Sequence, residues 1–354
     1  MKLETITPLF IGSGEVYSGI DYFEYNGHVY FVDFNKIINY KIAGEPKKAC
    51  REIEQFIINN LRNNQLRNKN QFYTNDFIKQ IIEKKLYLYC LASHEKGKFQ
   101  RHSNEIRAFV KSSLNPYIPG SSIKGALRTA ILFDAIERIN FDKLFEAYGK
   151  KAQKIFKNDL EKQLNYFITK KYKQQNIKLP ESSDFIDYFF NKLSVPDVNL
   201  DGNGKVMMLK KYGMSEKPTD FLAVEGYEGE GKISFLSPID FNYLKDIVNN
   251  YTKKSLELMR KKLEFEAELE VESILSQIEK QDGMYILAGG YNGWYAKTLH
   301  EHIIYHPRFE GSKDSIRKRL FLGLNPRNKK FSRKFPKTYT LTPDNKVLGV
   351  VKIS

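Results

Sequence analysis

The segment Pro116–Thr129, PYIPGSSIKGALRT, constrains the fold more than any other part of the chain. Its two prolines fix their own φ angles and disfavour helix at the residues before them, so the first half should be extended. Ser121 or Ser122 then offers a side-chain oxygen that can cap a following helix. We therefore predict an extended loop, a serine cap and a helix within this stretch, called here the PGSS segment.

The start of that helix suits an anion. Unpaired backbone N–H groups and the positive end of the helix dipole favour phosphate at such a position. Lys124 and Arg128 are four residues apart, so both side chains lie on one face of the helix. The pattern favours a phosphate site, and the alternative is an ordinary capped helix with two solvated cations.

Net charge supports a polyanionic partner. The chain has 57 Lys and Arg against 42 Asp and Glu, a formal net charge of +15. The imbalance is greatest over residues 311–337, which hold ten Lys or Arg and one acid, Asp314. Nucleic acid is the first candidate partner. The alternative is that a lysine-rich composition reflects an AT-rich or thermophilic source.

Other classes of protein fit the sequence poorly. No stretch approaches the roughly 18 apolar residues of a membrane span, and the N-terminus does not resemble a signal peptide. We therefore expect a cytoplasmic protein without a membrane partner. Cys50 and Cys90 form no CxxC pair, which argues against a disulfide scaffold or a zinc site, and no cofactor is expected.

Periodicity outlines the secondary structure. Asn26-Gly27 between aromatic and β-branched arms is the strongest hairpin signal. Two more hairpins are predicted, turning at residues 201–204 and 228–231, where glycines cluster. From Thr252 to Glu279, apolar residues three or four apart predict one long amphipathic helix. That stripe also leaves open a simple protein-binding scaffold.

Strands mixed with helices in this order favour an α+β fold rather than a parallel doubly wound sheet. We predict two units of the split βαβ type, residues 1–192 and 193–354. Residues 36–85 and 140–192 match no motif and are interpreted as helical insertions in the first unit.

A glycine-rich loop follows a predicted strand near residue 286. Glycines let a phosphate backbone approach the main chain closely, while aromatic side chains can stack on bases. The alternative is a plain glycine turn with packed aromatics. The residues concerned are Gly289, Gly290, Tyr291, Gly293, Trp294, Tyr295 and Lys297.

Three segments together resemble the RAMP superfamily of CRISPR effector subunits: residues 7–14 (TPLFIGSG), the PGSS segment and the glycine-rich loop. Within that superfamily, Gly293–Thr298 and Phe335–Thr338 look most like the Csm subunits that cap the 3′ end of the guide RNA in type III-A complexes.

The resemblance implies two ferredoxin-like (RRM-related) folds that bind the crRNA backbone beside the repeated backbone subunit. It also implies a role in crRNA 3′-end maturation without a recognised nuclease site, by positioning RNA or recruiting host nucleases. The predicted RNA-binding residues are Gly12, Gly14, Gly120, Ser121, Ser122, Lys124, Arg128, Gly289, Gly290, Gly293, Trp294 and Lys297.

The competing hypothesis is a metal-independent endoribonuclease that processes crRNA or cuts target RNA. Such an enzyme needs a general base and an acid, most often histidines, and His94 and His102 are candidates. Asp21 is similar in position to the aspartate that cuts target RNA in the repeated backbone subunits, but an aromatic residue follows it here. We interpret Asp21 as structural and the cluster of His300, His302 and His306 as structural or surface residues, and expect no enzyme activity.

Overall fold

The computed structural model describes most of the two ends of the chain and parts of its middle. The described residues are 1–42, 75–94, 105–135, 185–212, 218–234, 236–261, 265–280, 282–292 and 339–354, with the single residues 47, 51, 54, 55, 73, 263, 299 and 302.

Strands and helices are mixed throughout these residues, as the predicted α+β class requires. The strands are β1 Lys2–Thr5, β2 Gly12–Tyr17, β3 Tyr22–Tyr25, β4 His28–Val32, β5 Tyr87–Ser93, β6 Ile106–Phe109, β7 Lys111–Ser112, β8 Asn115–Ile118, β9 Val198–Asn199, β10 Asp201–Tyr212, β11 Pro218–Lys232, β12 Met284–Leu287, β13 Tyr339–Leu341 and β14 Val350–Ile353. The helices are α1 Phe34–Ile42, α2 Asn75–Glu83, α3 Gly120–Asp134, α4 Phe185–Lys192, α5 Phe241–Arg260 and α6 Phe265–Glu279.

A large mixed sheet organises the described residues. The sheet has 11 strands. Its main path runs β12-β14-β1-β11-β10-β5-β4-β3, and the other three strands lie off that path, with β6 beside β11, β2 beside β6 and β13 beside β10. Most neighbouring strands are antiparallel, but β5 runs parallel to β10, and β6 runs parallel to β11. Since β1 lies between β11 and β14, strands from both ends of the chain share one sheet. The predicted boundary at residue 192 stays a prediction.

The long antiparallel pair β10–β11 replaces the two hairpins predicted at residues 201–204 and 228–231, so both predicted turns are wrong. Their glycines lie inside the strands, where Gly202 pairs with Gly229. A Cβ on Gly202 would lie 2.1 Å from the carbonyl oxygen of Glu228. These glycines therefore serve close approach of the strands and not chain reversal.

The hairpin predicted at Asn26-Gly27 is confirmed. Tyr25 pairs with His28 across a two-residue loop that joins β3 to β4. Both loop residues have left-handed backbones, with φ of 50° at Asn26 and 76° at Gly27. This is the type I′ geometry that an Asn-Gly pair favours.

The single helix predicted from Thr252 to Glu279 is wrong, because the chain reverses between α5 and α6. Arg260 Nη1 lies 3.2 Å from Glu272 Oε1, and Lys253 Nζ lies 2.7 Å from Glu279 Oε1, so the two helices are antiparallel. The apolar residues of α5 and those of α6 face each other after this reversal, and they pack together. Leu256, Met259, Val271, Ile274 and Ile278 belong to one buried cluster.

The main core lies between α3, α5 and one face of the sheet. Ile123, Leu127 and Ala130 of α3 pack there with Leu244 and Val248 of α5. A second buried cluster, which includes Phe31, Met208 and Ile106, lies between β4, β6 and β10. The PGSS segment therefore has one buried side, and its other side faces outward.

Candidate nucleic-acid interface

The PGSS segment runs from β8 into α3, as its sequence predicts. β8 lies between two short strands, with Lys111 opposite Pro116 and Tyr117 opposite Asn199. The backbone N–H of Leu200 also donates to the Pro116 carbonyl, at 2.9 Å. The extended half is therefore held by strand pairing on both sides, and the helix begins directly after it at Gly120.

The predicted serine cap is wrong. The residue at the N-cap is Pro119, and its side chain makes no capping hydrogen bond. Instead, the Gly120 N–H donates to Oδ1 of Asp197 at 2.8 Å. The helix therefore begins two or three residues earlier than a cap at Ser121 or Ser122 predicts. Gly120 packs directly on Val195, whose carbonyl oxygen would lie 2.0 Å from a Cβ. Ser121 and Ser122 consequently lie within the first turn.

Lys124 and Arg128 lie on the half-buried border of α3, next to the apolar side that enters the core. Within the described part of the chain, no carboxylate pairs with Lys124. At the helix start, by contrast, Asp197 already provides an anion to the first N–H group. The Gly120 N–H is therefore already bonded to a carboxylate, and a phosphate contact at Lys124 and Arg128 stays a prediction.

In the structure, the glycine-rich loop packs on the N-terminal segment 7–14 (TPLFIGSG). The Gly290 N–H donates to the Phe10 carbonyl at 2.7 Å, and the Tyr291 ring lies 5.2 Å from the Phe10 ring. Gly289 has φ +80°, and a Cβ there would lie 2.4 Å from the Phe10 carbonyl oxygen. These two glycines thus permit close packing within the protein, and their contact with RNA stays a prediction.

Arg107 and strand β2 lie beside this contact between the glycine-rich loop and segment 7–14. Burial raises the pKa of the Tyr291 hydroxyl, while a hydrogen bond with the Arg107 guanidinium opposes that rise. Gly12 and Gly14 lie on the exposed strand β2, and a Cβ at Gly14 would meet nothing within 4 Å. The surface beside β2, next to the glycine-rich loop, is therefore exposed at Gly12 and Gly14.

Several predicted residues lie outside the described residues. They are Gly293, Trp294, Tyr295, Lys297, His102, His300, His306 and the basic stretch 311–337.

A buried ion pair beside the PGSS segment was missed by sequence reasoning. Lys111 Nζ lies 2.5 Å from Glu225 Oε2, and these side chains are 9% and 0% exposed. The same carboxylate accepts the Phe109 N–H at 2.7 Å and the Tyr89 hydroxyl at 2.6 Å. Burial lowers the pKa of Lys111, and the charge of Glu225 opposes that fall. One signal was available, since Glu225 is the only acid in the apolar run Phe221–Tyr227.

Asp21 and His94, the candidate catalytic residues that the structure describes, have different partners and do not lie together. Oδ2 of Asp21 accepts hydrogen bonds from the Ser18 N–H at 2.7 Å and the Ser18 hydroxyl at 2.8 Å, which closes a turn. His94 follows β5, where its Nε2 lies 3.7 Å from Oδ1 of Asp344. Asp21 adjoins Val32 and His94 follows Ala92, which pairs with His28, so they lie at opposite ends of β4. They do not form an acid–base pair.

Two other histidines are held by protein contacts. His302 is buried, with Nε2 lying 3.1 Å from the Ser255 hydroxyl, and His28 Nδ1 lies 3.3 Å from the Asn26 carbonyl. Within the described ranges, no three His, Cys, Asp or Glu side chains converge as a metal ion requires. Of the helices that the structure describes, none is both long and apolar enough to cross a bilayer.

Comparison with known proteins places these features in a family. The sequence matches the RAMP superfamily over residues 2–286, and the chain belongs to that superfamily. Membership implies a ferredoxin-like core. The chain is 27% identical over 328 residues to the CRISPR system Cms protein Csm5 of Methanocaldococcus jannaschii, covering 85% of this chain and 72% of the relative. It is 28% identical over 254 residues to Csm5 of Streptococcus thermophilus, covering 68% of this chain and 62% of the relative.

Solved structures share the fold. A chain from the cryo-EM structure of a Csm–crRNA–target RNA ternary complex of a type III-A CRISPR-Cas system superposes with a TM-score of 0.66 at 20% identity, covering 100% of this chain and 99% of that one. The crystal structure of T. onnurineus Csm5 superposes with a TM-score of 0.59 at 17% identity, covering 99% and 100%.

Proposed function

We propose that this protein is a non-catalytic crRNA-binding subunit of a type III-A CRISPR Csm complex. It caps the 3′ end of the guide and supports crRNA 3′-end maturation in antiviral defence. The observation that carries the proposal is the 27% identity to the Csm5 relative over 85% of the chain. Its partners are crRNA, the other Csm subunits, above all the repeated backbone subunit, and host nucleases. It acts in the cytoplasm, and its fold comprises two ferredoxin-like units.

Local chemistry supports an RNA ligand. The net charge of +15 favours a polyanion, and counterion release gives such binding a strong salt dependence. On α3, Lys124 and Arg128 lie one helical turn apart at a half-buried border of the main core. Recognition through backbone charge requires little sequence readout, as a subunit that holds guides of many sequences needs.

The RNA-binding part is tested with the full chain and a labelled single-stranded RNA in filter-binding titrations at several salt concentrations. The double variant Lys124→Ala/Arg128→Ala should weaken binding and reduce the log–log salt slope by roughly 0.7 for each lost phosphate contact. The control is Lys253→Ala/Lys254→Ala on α5, which removes the same charge from residues that pair with Glu279 and Glu257. An unchanged slope, or an equal loss in the control, would contradict the assignment.

The non-catalytic part needs a separate assay. Protein purified free of host nucleases is incubated with labelled crRNA precursor, and the products are resolved on a denaturing gel. We expect intact RNA, because Asp21 and His94 lie at opposite ends of β4 and each is engaged by neighbouring residues. Cleavage that persists through purification and disappears in Asp21→Asn or His94→Ala protein would establish the endoribonuclease instead.

A further inference from the structure

The hairpin that leads into the PGSS segment has an unusual turn. β7 and β8 pair through Lys111–Pro116 and Ser112–Asn115, leaving Ser113 and Leu114 as a two-residue loop. Both loop residues have positive φ, 49° at Ser113 and 72° at Leu114. A two-residue loop with two left-handed residues is a type I′ turn, for which Asn-Gly is the favoured sequence.

The same chain provides the reference for this turn. The β3–β4 hairpin has nearly the same loop backbone, with φ of 50° and 76°, and is built from Asn26-Gly27. Glycine adopts this conformation without steric cost, whereas the Cβ of a leucine is crowded against the following carbonyl. The β7–β8 turn therefore has the geometry of the first hairpin with a sequence that strains it.

Core packing does not account for the leucine. Leu114 is 49% exposed, and Ser112, Ser113 and Asn115 around it are also exposed. An apolar side chain is thus held in solvent by a strained backbone. Such outliers persist only where the surrounding structure enforces them, and they cluster at functional sites.

The base of the hairpin enforces this geometry. Lys111, the first residue of β7, is fixed by its ion pair with the buried Glu225. Opposite it, the carbonyl of Pro116 accepts the Leu200 N–H. Both strands are therefore anchored to the body of the protein a few residues from the tip, and Leu114 has a fixed position.

Charge around the tip favours nucleic acid over a protein partner. Residues 106–133 contain no Asp or Glu. Of their four cations, Lys111 is neutralised by the buried Glu225, which leaves the charges of Arg107, Lys124 and Arg128. The path from Leu114 to the start of α3 at Gly120 is six residues, which span at most about 20 Å. A strand of RNA that contacts Lys124 and Arg128 through phosphates can therefore reach the tip within a few nucleotides.

We propose that Leu114 is an RNA-base contact: its side chain wedges against an unstacked base of the single-stranded RNA whose phosphates bind Lys124 and Arg128. This inference rests on the proposed function. Apolar side chains, leucine among them, insert between base steps in nucleic-acid complexes, and unpaired RNA offers exposed base faces. The wedge adds no sequence readout, because every base has an apolar face.

The test uses the double variant Ser113→Asn/Leu114→Gly, which gives the β7–β8 turn the same Asn-Gly sequence as the β3–β4 turn. The melting temperature should rise because the left-handed strain is removed, while affinity for a 30-nucleotide oligouridylate should fall about fivefold or more. The single variant Leu114→Asn should behave in the same direction. Leu269→Ala is the matched control, because Leu269 is 51% exposed on α6, and its RNA affinity should equal that of the wild type.

A ribose-phosphate oligomer of the same length without bases identifies the contact. The wild type and the double variant should bind it equally, since the lost contact is to a base. Equal affinity of both proteins for oligouridylate would overturn the wedge while leaving the proposed function intact. An equal loss on the base-free oligomer would also overturn it, as would unchanged RNA affinity with reduced incorporation into the Csm complex. Failure of the wild type to bind any single-stranded RNA, alone or assembled, would overturn the proposed function first.

Discussion

Helices α3 and α5 begin in opposite ways, although both follow a short proline-containing stretch. At α5 the N-cap is Asp240, whose side chain accepts the backbone N–H groups of Asn242 at 2.9 Å and Tyr243 at 3.1 Å. At α3 the N-cap is Pro119, and the carboxylate that accepts the first N–H comes from Asp197, 77 residues further along the chain. One helix start is therefore specified by adjacent residues and the other by a tertiary contact.

The difference changes how the PGSS segment can bind an anion. A locally capped helix would expose its cap to solvent and could exchange a serine oxygen for a phosphate oxygen. At α3, a carboxylate is already bound to the Gly120 N–H, and that glycine packs on the Val195 carbonyl. The start of α3 is consequently a structural contact with the 195–199 segment, and its cationic face one turn later is the part that we propose binds RNA.

The largest effect should come from Gly120→Ala. Its Cβ would lie 2.0 Å from the Val195 carbonyl oxygen, a backbone atom that cannot move aside cheaply, so we expect a loss of about 3 kcal/mol in the free energy of unfolding. Gly125→Ala is the control within the same helix. No atom lies within 4 Å of a Cβ there, and a gain of about 0.5–1 kcal/mol is expected. Urea denaturation of both variants measures the difference, and similar stabilities would contradict the proposed contact.

Removing the distant cap should have the next largest effect. Asp197→Ala leaves the N–H of the buried Gly120 without its acceptor, which should cost about 1–2 kcal/mol. Asp197→Asn keeps an oxygen in the same place and should retain most of that stability. If the asparagine variant loses as much as the alanine variant, charge and not hydrogen bonding holds this contact.

At α5, Asp240→Ala should cost about 1 kcal/mol, the usual contribution of an N-cap side chain. Asp240→Ser should restore much of it, because a serine oxygen can reach the same N–H groups. Thermal unfolding of the three proteins provides the test. A full loss in the serine variant would show that α5, too, depends on more than its local cap.

Local patterns were predictable from sequence where neighbouring residues determine the structure. The Asn26-Gly27 hairpin and the change from extended chain to helix within the PGSS segment depend on φ preferences of single residues. The α+β class followed from the mixture of periodicities. The resemblance to the RAMP superfamily, carried by three short segments, agrees with the family match over residues 2–286.

Features that depend on distant partners were not predictable. The glycines of β10 and β11 resemble turns until the two strands are placed side by side, as Gly202 opposite Gly229 shows. The ion pair between Lys111 and Glu225 joins residues 114 positions apart. The acceptor of the Gly120 N–H has the same character, since nothing near Gly120 identifies Asp197. Prediction therefore failed where the structure is set by tertiary contacts.

The smallest effect is expected from the residues that the sequence favoured most as caps. Ser121→Ala and Ser122→Ala should each change the free energy of unfolding by no more than about 0.5 kcal/mol, because both lie inside the first turn, where alanine is a better helix former than serine. Chemical denaturation beside Asp240→Ala gives the scale. A loss at Ser122 as large as that at Asp240 would mean that a serine caps α3 in solution. The two helix starts would then be alike, and a phosphate could compete for the Gly120 N–H after all.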